Sequence, residues 1–207
     1  MFNTLIFNKM TITKMYRIIA TTLATGLILT FNACKKDDPE PEVAQEEFKS
    51  VVFNFIELEA DDDHFHETTD TVKIVFGADG NATRSHYDLH ADAVYRLKVV
   101  AYDFAGREMQ DEFVEEADEH QMFITGAQEG VLDYTYEDDK VGVTGRLSTL
   151  KPSDGSMTLT AVLRHGLDKS KTTAADWDDA NHVRFGGSAD FTLKFPLHVV
   201  EGDHDDH

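Results

Sequence analysis

From residue 50 onward the chain is written in short runs whose apolar residues recur at every second position, the period of a half-buried strand. Residues 71–76 place Val72, Ile74 and Phe76 on one face. Residues 93–104 do the same with Tyr95, Leu97, Val99 and Ala101. Residues 156–165 put Met157, Leu159, Ala161, Leu163 and His165 on one side and Thr158, Thr160, Val162 and Arg164 on the other. Residues 189–200 turn Phe191, Leu193, Phe195, Leu197 and Val199 inward, with Pro196 marking an edge strand or a bulge. Residues 50–60 are denser in β-branched and aromatic side chains, and 120–125, 131–136 and 141–150 are further candidates. Turn signals follow at 77–81, 103–106 and 151–155. Helix is expected only near 172–180 and 109–119. The pattern predicts one all-β domain over residues 48–200, an Ig-like β-sandwich of seven to eight antiparallel strands, with a closed β-barrel as the alternative.

The first 33 residues follow different rules. Their only charges are Lys9, Lys14 and Arg17, followed by an apolar stretch that ends in Asn32-Ala33-Cys34. A basic start, a short apolar run and a small residue before the break describe a secretory signal. Met10 or Met15 would give that signal a more ordinary length. The only Cys of the chain stands where the signal ends, the position at which a bacterial lipoprotein carries its lipid. Residues 34–47 then read as the lipidated Cys and an acidic, Pro-containing tether. Residues 201–207 form an acidic, His-containing tail.

Charge sharpens this division. The full chain has 19 Lys and Arg against 39 Asp and Glu, a net charge of −20. Cleavage before Cys34 removes three positive charges and no negative one, leaving −23. Such a charge argues against nucleic acid as a partner and draws cations toward the domain. All ten His lie beyond the signal. His64 and His66 stand two apart within the acidic run 61–67, and His86, Asp88 and His90 share one side of an extended segment. Imidazole mixed with carboxylate suits zinc, copper or nickel better than calcium or magnesium. His120 and His165 adjoin apolar runs. Each suits a partly buried ring satisfied by a backbone carbonyl, and the two can also converge at one end of the sandwich to bind metal. Trp177, set among Asp176, Asp178 and Asp179, is the candidate for stacking on a sugar. No Gly-x-Ser-x-Gly elbow, phosphate loop or His-Glu-x-x-His motif occurs, so an enzyme is not expected.

The segment after Cys34, Lys35-Lys36-Asp37-Asp38-Pro39-Glu40, resembles the export signal of Bacteroidota surface lipoproteins. The blocks Asp118-Glu119-His120-Gln121-Met122-Phe123, Tyr134-Thr135-Tyr136-Glu137-Asp138-Asp139 and Leu163-Arg164-His165-Gly166-Leu167-Asp168-Lys169 resemble those of small His-rich lipoproteins of the same phylum. That resemblance implies a lipid-anchored protein on the outer membrane, exposed at the cell surface. It also implies a transition metal as ligand and a TonB-dependent receptor as partner; among divalent metals the imidazole and carboxylate donors, without a Met run, put zinc foremost. The candidate metal ligands are His64, His66, His86, His90, His120 and His165, with Cys34 as the lipidation site. A surface glycan-binding or adhesion domain is the alternative.

Overall fold

The computed structural model describes residues 48–61 and 64–202, which lie within one compact unit. The signal segment, Cys34, the tether and the last five residues lie outside them. Nine strands form in chain order: β1 Ser50–Asp61, β2 His64–Phe76, β3 Asp88–His90, β4 Ala93–Tyr102, β5 Gln121–Thr125, β6 Leu132–Tyr136, β7 Thr144–Thr149, β8 Met157–His165 and β9 Ser188–Val200. One short helix, α1 (Gln110–Glu115), precedes β5, and three 3-10 turns lie between β8 and β9. The fold is all-β, as the alternation predicts. Its strands exceed the expected seven to eight because β3 is too short to show a period.

Two sheets face each other. One runs β2-β1-β4-β7-β6 and the other β3-β9-β8-β5. The described pairings are antiparallel except β3 with β9, which is parallel. The core lies between the sheets. Phe53 is fully buried and meets Phe55, Phe76 and Phe195 edge-on, at ring separations of 6.2, 5.0 and 5.9 Å. Every residue predicted to face inward from β9 is buried: Phe191, Leu193, Phe195, Leu197 and Val199. Trp177 is buried as well, tilted against Tyr134.

Pro196 is neither on an edge strand nor at the bulge. β9 lies between β3 and β8, and Pro196 stands opposite Thr158 in regular register. The strand accepts it because alternate amides point to the same side. The amides of Lys194 and His198 donate to the carbonyls of Gly80 and Tyr87. The position between them falls in a gap before β3 begins, where no donor is needed.

Candidate metal centre

The bulge in this sheet lies further up β9. Leu163 pairs with Phe191 and Arg164 with Ala189, so Asp190 is the extra residue with no partner on β8. A bulge breaks the alternation of the strand and re-aims its side chain. Asp190 therefore points inward and its side chain is 2% exposed, although the alternation set by Phe191 would turn it outward. Neither carboxylate oxygen has a hydrogen-bond partner. A buried carboxylate without partners is costly unless a cation accompanies it.

Two imidazoles face this carboxylate. His120 enters from the loop between α1 and β5 and is fully buried, and His165 ends β8. Their rings meet edge-on at 4.5 Å. His120 Nε2 lies 3.4 Å from Asp190 Oδ2, and His165 Nδ1 lies 4.0 Å from Asp190 Oδ1. Both inner nitrogens lack hydrogen-bond partners. The outer nitrogens are held: His120 Nδ1 lies 3.1 Å from the Glu116 carbonyl, and His165 Nε2 lies 3.3 Å from the Glu119 carboxylate. An acceptor at the outer nitrogen fixes the proton there and leaves the inner nitrogen with a free lone pair, the arrangement that orients metal-bound histidines. Burial works against charging His120, but Asp190 and the Glu116 carbonyl outweigh it and hold its pKa above the ordinary imidazole value. The Asp190 carboxylate thus favours positive charge on the His120 ring.

The surroundings are fixed by backbone contacts. Lys169 donates from its ammonium to the carbonyls of Ala117, His120 and Asp139, tying down the loop that carries His120. Burial, with Lys140 close by, lowers the pKa of Lys169 to about 8. Arg164 donates to the carbonyls of Gly186 and Gly187, which lead into the bulge. Gly187 has a positive φ, and a Cβ there would collide with the His165 carbonyl oxygen, so this close approach requires glycine.

Among the described residues, two groups of His, Asp and Glu can each hold a metal ion, their ligand atoms lying within 4.8 Å of one another. One is Glu116, His120 and His165, to which Asp190 adds the buried carboxylate. The other is His86, Asp88 and His198. No protein-family model, curated protein or solved structure matches the chain.

The predicted residues are therefore distributed over three places. His120 and His165 converge, as one reading of their apolar flanks allows, and Glu116 completes their group, with the Asp190 carboxylate facing both rings. His86 and Asp88 come together, and His198 joins them while His90 stays outside the group. His64 and His66 open β2, so they share a face, and both are exposed. His66 Nε2 is 4.0 Å from Asp61 Oδ2. Asp62 and Asp63 lie outside the described residues. Trp177, 7% exposed, offers no open face to a sugar. Of the acids at 137–139, Glu137 pairs with Arg96 and Arg146, and Asp138 accepts the amides of Gly142 and Thr144. Asp190 and His198 were not legible as ligands, because each reads simply as a polar position on a strand.

Proposed function

We propose that the protein is a surface-exposed outer-membrane lipoprotein, anchored through Cys34, that captures a divalent transition metal, zinc foremost, at His120, His165 and Asp190. The observation that carries this reading is the carboxylate of Asp190, buried, without a hydrogen bond and faced by two imidazole nitrogens that also lack one. Ligands bound at about 2.0–2.1 Å to a tetrahedral zinc lie about 3.3 Å apart. The 3.4 Å between His120 Nε2 and Asp190 Oδ2 matches that edge, and His165 Nδ1 stands 4.0 Å from the other carboxylate oxygen, Oδ1. Two imidazoles and a carboxylate favour zinc, nickel or copper(II) over calcium and magnesium. Glu116 and Glu119 stand exposed at the rim as first contacts for an arriving ion.

In this role the −23 charge of the mature chain concentrates cations near the domain, and a TonB-dependent receptor takes the ion onward. Binding, not catalysis, is the activity. Calorimetric titration of the purified full-length protein with zinc tests the reading. A dissociation constant weaker than about 10 μM makes specific capture untenable. Metabolic labelling with a fatty acid, lost in Cys34→Ala, tests the anchor, and unchanged labelling in that variant removes it.

A further inference from the structure

We propose that His86, Asp88 and His198 form a second metal site, independent of the buried one and open to solvent, for a borderline divalent ion of the zinc, nickel and copper(II) class. Two segments bring the group together. His86 precedes β3, Asp88 opens it, and His198 lies directly opposite Asp88 in the parallel β3–β9 register. Between His86 and Asp88, Tyr87 is buried and its carbonyl accepts the amide of His198. Tyr87 therefore points inward, and its two neighbours point outward on the same side. Leu197 and Val199 are buried, so His198 also faces outward.

The side chains converge on one atom. Asp88 Oδ1 lies 2.8 Å from His86 Nε2 and 3.5 Å from His198 Nδ1. The two rings are 5.9 Å apart. One carboxylate oxygen thus faces two imidazole nitrogens brought from different parts of the chain. Both separations bracket the ligand-to-ligand edge of about 3.3 Å around a tetrahedral ion. Because the backbone pairing sets all three positions, little ordering is needed on binding.

This site differs in kind from the buried one. Its side chains are 54%, 44% and 30% exposed, against 0% for His120 and 2% for Asp190. Three protein ligands with solvent beside them leave a coordination position for water or for an incoming ligand, so the ion exchanges readily. Imidazole with a single carboxylate disfavours calcium and magnesium, and the absence of sulfur disfavours copper(I). The sites are also well separated. His198 and Asp190 lie eight residues apart on β9, about 26 Å along an extended strand.

Carbethoxylation of histidines, read by peptide mass spectrometry with and without zinc, distinguishes the sites in one experiment. The purified full-length protein is modified in the wild-type form, in Asp190→Asn and in the double variant Asp88→Asn/His198→Gln. Zinc at ten times its dissociation constant leaves about one-eleventh of a site free, so His86 and His198 should react about tenfold more slowly with zinc present. That protection should persist in Asp190→Asn. His86 should lose it in the double variant, while any protection of His165 remains. Equal modification of His86 and His198 with and without zinc in the wild-type protein overturns the proposal, as does undiminished protection of His86 in the double variant. Protection at His86 and His198 in Asp190→Asn, with calorimetric zinc uptake unchanged by that substitution, leaves this site standing and removes the buried one.

Discussion

Asp190→Asn isolates the element on which the buried centre depends. The substitution keeps the shape of the side chain and removes its charge. At 2% exposure water cannot take over its place, so a bound ion would retain two imidazoles and the exposed carboxylates of the rim. Changes in residues that merely orient metal ligands cost about 10–100-fold in affinity, and loss of a ligand costs at least as much. For a site with a dissociation constant of about 1 μM, zinc at about 100 μM stabilises the fold by about 2.7 kcal/mol; after hundredfold weakening the gain is about 0.4 kcal/mol. In a domain of this size 1 kcal/mol moves Tm by about 2–4 °C, so the wild-type protein should gain about 5–11 °C with zinc and the variant about 1–2 °C. Differential scanning calorimetry of chelator-treated full-length protein near neutral pH, with and without zinc, measures both, each in the Asp88→Asn/His198→Gln background so that the exposed site adds nothing to the shift. Equal shifts in the two proteins refute the assignment of Asp190 as a ligand. No shift in the wild-type protein refutes the site.

Further expectations concern the parts that hold this centre in place. Lys169→Met leaves three backbone carbonyls without their ammonium; it should cost about 2–4 kcal/mol of stability in urea unfolding and weaken zinc binding about 10–100-fold, and unchanged binding would separate the lysine from the site. Phe53→Ala opens a cavity among three aromatic rings and should destabilise the protein by about 3–5 kcal/mol in the same assay. Burial raises the pKa of Tyr95 from 10.0 to about 12 and also raises those of Tyr134 and Tyr136. A group kept protonated by folding contributes fully below its unfolded pKa and loses that contribution as pH climbs through the folded value. Stability should therefore fall between pH 10 and about 12, by at most about 3 kcal/mol from Tyr95, with phenolate absorbance rising together with loss of the β-sheet signal in circular dichroism. Reversible titration of these tyrosines near pH 10 in a fully folded protein would contradict their burial.

The sequence by itself determined where most strands run and which way their apolar residues face, because side-chain direction in a strand is a local property with a period of two. Phe191, Leu193, Phe195, Leu197 and Val199 were readable as core for that reason, and each is buried. The early part of β2 was not readable, because His64 to Glu67 are exposed and offer no apolar alternation to follow. Residue chemistry also marked His120, His165, His86 and Asp88 as groups able to meet a metal. What gathers them depends on contacts between segments far apart in the chain. A one-residue irregularity between β8 and β9 turns Asp190 inward, against the alternation that its neighbour Phe191 sets. The parallel register of β3 on β9 puts His198, rather than His90, beside Asp88. Neither a bulge nor a register leaves a periodic trace in the sequence, since both are set by how neighbouring strands pair. Tertiary structure alone therefore decided which carboxylate meets which imidazole.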